Sequence, residues 1–407
     1  MSRSLGIPVH EASGHVDGKT SQLNQCRMGK TSYKRLKGSR SFRQRLLLST
    51  LSYTPILIED IRTDDTFPGL SKHEISLLRL FESVSDGCHV EINETGTKVK
   101  YKPGIIIGGT QHRPHDCGLS RSISYFLEPL IVLGLFAKKP LTITLKGITN
   151  DSKDPSMDTF KSAAFPILKR FGVPSEGLAL KIESRGVPPN GGGEVILSLP
   201  VVQSLKPVIW TDEGFVKKIR GVAFSTKVNA EFGKNVFTAA RGIINPLLSD
   251  VFIDTDHRSG PQAGNSPGYG LSLVAETTSG CFISADTAVS HTRDEETSGL
   301  EDDEEKGLTT PENVGQGVVN VLLGEIAQSG VVDSTHQGLL FLLCALGPAG
   351  DVSKVRVGKL SPHGIETLRN LRDLLDVKFI IKPDPTTESV ILKCVGFGMK
   401  NLSRRVS

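Results

Sequence analysis

Three short runs carry the side chains whose types and spacing could do chemistry. The first is Arg185-Gly186-Val187-Pro188-Pro189-Asn190-Gly191-Gly192-Gly193-Glu194. Bare backbone beside a guanidinium is a loop that suffices to bind sulfate or phosphate, although loops use glycine freely and a triple glycine alone is weak evidence. The second is Asp333-Ser334-Thr335-His336-Gln337-Gly338-Leu339, which sets a carboxylate and an imidazole about one helical turn apart. His336 reads either as a nucleophile or, more plainly, as a polar residue at a helix start. The third is Arg369, Asn370 and Arg372. Metal-free RNA cleavage needs a base near the 2′-hydroxyl and cations near the phosphate. This run supplies cations, with Arg369 and Arg372 on adjacent turns of one face, but no evident base. Its plain reading is the solvent side of an amphipathic helix, opposite Leu368, Leu371 and Leu375. His112, His115 and Asp116 follow Gly108-Gly109 without metal-ligand spacing, so no metal site is expected and a loop at a helix start explains them.

Charge is unevenly spread along the 407 residues. The formal net charge is +4, but eight acids and no base lie between Asp294 and Glu305, so the rest carries +12. Like charges repel and extend a chain, which predicts a disordered surface loop there. From Arg27 to Arg45 eight bases occur without an acid, among them Lys30, Lys34, Arg35, Lys37, Arg40 and Arg45; Lys400, Arg404 and Arg405 end the chain. Such patches attract polyanions through counterion release; a solvated arm or a localisation signal is the blander reading. These residues are the expected RNA or partner contacts.

Composition narrows the class. The longest apolar run, Tyr125 to Ala137, is shorter than the roughly 20 residues of a membrane span and contains Glu128, so a buried helix is expected and no membrane association. No apolar N-terminal region argues for secretion. Six scattered cysteines without a Cys-x-x-Cys pair exclude a zinc ribbon and make a disulfide framework improbable, which fits a reducing compartment, cytosol or nucleus.

The elements that must position these runs recur three times. Each unit reads α-β-α-β-β. The first has helices at about 43–53 and near Ile75, Leu78 and Phe81, with strands Ile56 to Ile61, His89 to Ile92 and Lys98 to Tyr101. The second runs from a helix at about 119–136 to a strand at Glu194 to Leu199, and the third from a helix at about 335–346 to Val390 to Val395. The second helices begin near 72, 157 and 363. The third therefore sits about 121 residues later than an even spacing of about 85 requires. That excess predicts an inserted α/β domain at about 210–330, between copies two and three, with a returning helix at Val314 to Ser329. The fold class expected is α/β (α+β): three repeated α-β-α-β-β units and one small inserted domain. Boundaries are drawn at 1–32 for a disordered leader, 33–209 for repeats 1 and 2, 210–313 for the insert with its acidic loop, and 314–407 for repeat 3 and a basic tail.

The Arg-Gly-x-x-Pro-x-Gly-Gly-Gly run resembles a motif of the RNA 3′-terminal phosphate cyclases. Gly108-Gly109, Lys146 to Asn150, Phe67 to Leu70 and Gly260 to Asn265 sit where that family has similar segments. The resemblance covers about residues 33–405 and implies a fold of three repeats with one inserted domain. It also implies a remnant cleft formed by Arg43, Arg185, Gly191, Gly192, Gly193, Asp333 and His336. The chemistry departs from the family. Cyclases activate the RNA end through a nucleotidyl-histidine in a His-x-x-Asp-Gln segment, and here Asp333 stands where that histidine belongs. A carboxylate repels a triphosphate and forms no stable phosphoramidate. The family's Gly-Gly-Gly-Gln start is replaced by Leu36-Lys37-Gly38-Ser39-Arg40-Ser41-Phe42-Arg43, and Asp64 and Asp65 follow Arg62 where bases are usual. The resemblance is therefore to the cyclase-like branch of eukaryotic ribosome assembly. It implies no cyclase activity, no cofactor and a nucleolar location in the nucleus. It further implies early processing of the small-subunit 18S pre-rRNA within the small-subunit processome, beside a ribosome-assembly GTPase. The alternative is a metal-independent endonuclease acting on pre-rRNA, using Arg369, Asn370 and Arg372.

Overall fold

The computed structural model describes residues 32–290 and 310–401. The expectations for Lys30 and the rest of the leader, for the acidic run 294–305 and for Arg404 and Arg405 lie outside the described residues.

The first repeat contains β1 (Lys34–Lys37), α1 (Phe42–Ser52), β2 (Ile56–Glu59), α2 (Lys72–Val84), β3 (His89–Ile92) and β4 (Val99–Lys102). The second contains β5 (Gly109–Thr110), α3 (Ile123–Leu135), β6 (Leu141–Gly147), α4 (157–170, with a π-helical turn at Phe160–Ala164), β7 (Ala179–Ser184) and β8 (Gly193–Leu199). The third opens with β9 (Ile209–Trp210) and is interrupted by the insert: β10 (Val216–Thr226), α5 (Ala230–Ile244), β11 (Val251–Arg258), β12 (Gly268–Thr277), β13 (Phe282–Ser290) and α6 (Pro311–Ala327). It resumes with α7 (Gln337–Ala345), β14 (Val352–Val357), α8 (Pro362–Leu375), β15 (Ile380–Pro383) and β16 (Val390–Val395).

The three repeat sheets share one strand order, β1-β2-β4-β3, β5-β6-β8-β7 and β9-β14-β16-β15. In each the outermost strand is parallel to its neighbour and the others are antiparallel. Each unit is therefore β-α-β-α-β-β, one strand longer than the periodicity predicts. That strand is only two residues long in repeats 2 and 3, too short to show an alternation. Its position corrects the placement of the insert. Because β9 pairs with β14 on the far side of the insert, the insertion lies inside repeat 3 and not between repeats 2 and 3. The boundary at 209/210 cuts β9. The boundary at 313/314 cuts α6, whose Val314, Val318, Val319 and Leu322 pack into the insert's own core against Val236, Ala240 and Leu271. The chain returns to repeat 3 only beyond Ala327.

Helices of the three repeats meet in one continuous core, in which Phe81, Phe126, Phe171 and Phe341 are fully buried. The insert has a separate core, and a small cluster of Val187, Phe224 and Ala288 joins it to repeat 2. Local sequence sets the element ends. Ser71 and Glu74 form a capping box on α2; Ser361 accepts from the Gly364 amide and Pro362 occupies the first turn of α8.

Candidate functional site

The apolar helix α3 carries two residues out of keeping with its neighbours, Glu128 and Pro129. Proline has no N–H, so the carbonyl four residues earlier is left without its helical donor. That carbonyl belongs to Tyr125, and the Arg43 guanidinium takes it at 3.1 Å while binding Glu128 at 2.5 Å. The Tyr125 ring lies between two guanidiniums, Arg43 at 4.9 Å and Arg121 at 4.7 Å from its centroid. Burial, opposed by those cations, pushes its hydroxyl up to about 12. Arg43, Arg121 and Tyr125 line a polar cavity of about 440 Å³ with Arg40, Arg62, His73, Glu74, His363 and Glu366. Every arginine there already holds a carboxylate. Arg40 pairs with Glu366 at 3.0 Å, Arg43 with Glu128, Arg62 with Glu74 at 2.7 Å and Arg121 with Asp154. Burial would raise the Glu128 carboxyl, but Arg43, helped by His363 and His336, outweighs it and holds the group at about 2.

Asp333 is 1% exposed, just before α7, and faces the insert. It accepts from the Ser284 amide and hydroxyl on β13 at 2.8 and 2.7 Å, and from the His336 amide and Nδ1 at 3.0 and 2.8 Å. Burial disfavours both charges, yet Asp333 raises the basicity of His336 and is itself held below the usual carboxylate range. The pair favours the charged form of each partner, and its order is the reverse of the His-x-x-Asp of the cyclase motif. Neither residue opens onto the polar cavity.

The Arg185 guanidinium is 2% exposed and is spent on Asp158 (2.7 and 3.0 Å), Asp256 (2.7 Å) and Asn150 (3.3 Å), which keep it protonated despite burial. The glycine run beside it is covered. Asn265 of the insert donates its amide to the Gly191 carbonyl at 2.8 Å and its side chain to the Asn190 carbonyl at 3.1 Å. A Cβ on Gly192 would lie 2.8 Å from the Asn265 side chain, so glycine is needed there for two backbones to touch. The expected remnant cleft is thus divided. Arg43 lies in the polar cavity, Asp333 and His336 are buried beside it, and Arg185 with Gly191 to Gly193 forms the joint between repeat 2 and the insert.

The structure unites two groups that are far apart in sequence. Lys34 on β1 donates to the Asp373 carbonyl at the end of α8, Arg40 shares Glu366 with Arg369, and Arg372 pairs with Asp373 at 2.9 Å. Lys37 approaches Asp60 at 3.6 Å, and Arg45 caps the Lys37 and Gly38 carbonyls. One basic surface runs from β1 across to α8. Asn370 does not belong to it. It is 8% exposed and donates to Gln44 on α1 at 2.9 Å, so the expected solvent-facing triad of Arg369, Asn370 and Arg372 is a pair of surface arginines and a core amide. His115 is turned to Ser76. Sequence reasoning missed Arg62, Arg121, Tyr125 and His363 as cavity residues. A lone acid followed by proline in an apolar run was the available signal, since a buried carboxylate requires a cation.

Comparison with known proteins agrees with this architecture. The model of the family described as RNA 3′-terminal phosphate cyclase matches residues 34–381. A probable RNA 3′-terminal phosphate cyclase-like protein of Arabidopsis thaliana is 63% identical over 374 residues, covering 92% of this chain and 99% of that protein. The RNA 3′-terminal phosphate cyclase-like protein of Homo sapiens is 45% identical over 373 residues, covering 90% of this chain and 96% of that one. A protein of Schizosaccharomyces pombe named as an rRNA processing protein is 39% identical over 382 residues, covering 92% and 98%. The chain belongs to the RNA 3′-terminal phosphate cyclase family.

Proposed function

We propose that this chain is a non-catalytic cyclase-fold factor of small-subunit ribosome assembly, required for early processing of 18S pre-rRNA within the small-subunit processome of the nucleolus. The observation that carries this reading is the engagement of Asp333. The position expected to hold the nucleophile is a carboxylate committed to four donors, and His336 is bound to it by Nδ1. An incoming triphosphate would also have to displace a carboxylate from each cavity arginine. The rRNA-processing name of the fission-yeast relative supports the process. The β1–α8 surface is the proposed contact for pre-rRNA or for a ribosome-assembly GTPase. The endonuclease alternative loses support, because Asn370 is buried against Gln44 and Arg369 and Arg372 are each engaged by a carboxylate, Glu366 and Asp373. The test is replacement in cells. Depleting the protein is expected to accumulate unprocessed small-subunit precursor, and His336→Gln is expected to restore processing. Failure of His336→Gln at normal protein level contradicts a non-catalytic role.

A further inference from the structure

The outer face of the third-repeat sheet is built unlike a surface meant for water. An open sheet with helices on one side normally shows polar side chains on the other. The register β9-β14-β16-β15 sets Ile209, Lys354, Lys393 and Ile380 in one row across that face, with Val352 opposite Val395 in the next row. The aliphatic members are widely exposed: Ile209 by 76%, Ile380 by 61%, Val352 by 51% and Val395 by 49%. At one end they open into a cavity of about 670 Å³, floored by Leu375, Val377 and Phe397. Lys354, Lys393 and the neighbouring Lys382 have no carboxylate partner among the described residues. The two unpaired lysines stand at the centre of the row with an isoleucine at each end, and the Val352–Val395 pair and the cavity lie beside them, which suits one kind of occupant, with an apolar stripe running alongside an anionic one.

We propose that this face is a docking surface for an acidic amphipathic helix of a partner protein. The four-residue row crosses three inter-strand gaps, about 14 Å. On a helix lying across the strands that distance is about nine residues, a little over two and a half turns. Leucine-type anchors fill the cavity between Val352, Val395 and Phe397, and flanking carboxylates reach Lys354, Lys382 and Lys393. Nucleic acid suits the face less well, because single strands are held by stacking on successive aromatic side chains, and the row contains none while the cavity offers Phe397 alone. The surface is separate from the basic β1–α8 face, so its occupation does not depend on RNA binding there.

The test uses the full chain and a defined probe, a fluorescent helical peptide with leucines on one face and glutamates flanking them. Anisotropy is expected to report saturable binding that weakens in high salt. Lys354→Gln with Lys393→Gln, which leaves the core untouched, is expected to weaken it roughly tenfold, an electrostatic loss of about 1.4 kcal/mol. Val352→Asp is expected to abolish it. The proposal is overturned by no binding, equal binding of a twin peptide with lysines for glutamates, displacement of the peptide by oligouridylate, or loss of binding in Lys34→Glu with Lys37→Glu. Self-association of the chain that disappears in Ile380→Asp would assign the face to a second copy and also overturn it.

Discussion

Four donors converge on Asp333, two from the insert and two from its own turn. Asp333→Ala strands the Ser284 amide and a buried imidazolium, so a loss of about 3–5 kcal/mol is expected in urea unfolding. Asp333→Asn, which keeps an acceptor for Ser284, should cost less. The pH dependence has a definite sign. His336 is more basic in the folded chain than its ordinary value of 6.5, so its contribution is complete below that pH and is lost as the pH rises through the raised value. Unfolding midpoints should therefore fall as the pH rises above 6.5 in the parent chain and lose that slope in Asp333→Asn. Glu128 works in the opposite sense. Its carboxyl is held at about 2 against an ordinary 4.5, so of order 3 kcal/mol is present above 4.5 and lost as the pH falls toward 2. Arg43→Ala should remove that acid limb. The identity of Asp333 was legible from the motif spacing. Its partner Ser284, 49 residues away on another domain, was not, because no local pattern encodes a contact between an insert strand and a core turn.

Strand β1 and helix α8 come from opposite ends of the chain yet present one basic face. Reversing Lys34, Arg35 and Lys37 is expected to weaken association with RNA or preribosomes and to flatten its salt dependence, by about 0.7 in logarithmic slope for each lost contact to single-stranded RNA. Filter binding across a salt series checks this, and unchanged association would remove the assignment. At this scale the repeats were readable, because Leu78 and Phe81 or Leu371 and Leu375 recur at helical spacing and bury one face. The inward turn of Asn370 was not. It sits on the border of the apolar stripe of α8, and only the approach of Gln44 from α1 decides which way it faces.

Across the whole molecule, the motif that resembles a phosphate cradle acts as a hinge pin. Arg185 ties Asp158 of repeat 2 to Asp256 of the insert, and Asn265 seals the glycine run. Arg185→Ala leaves the half-buried Asp158 without its cation and Asp256 with Arg258 alone, so hydrogen exchange should show the insert sheet β11-β10-β12-β13 opening well before the repeat core. A uniform loss of protection would contradict this role. The same logic gives the Arg-Gly-x-x-Pro-x-Gly-Gly-Gly signature a structural reason: close backbone contact needs glycine whether or not a ligand binds. The account turns on whether any histidine of this chain carries a nucleotide. The direct measurement is incubation of the purified full chain with α-labelled ATP, a divalent cation and an RNA ending in a 3′-phosphate, followed by denaturing electrophoresis and analysis of the RNA end. The expected result is an unlabelled protein and an unchanged 3′-phosphate. An acid-labile nucleotide on the protein, lost in His336→Gln, would contradict it.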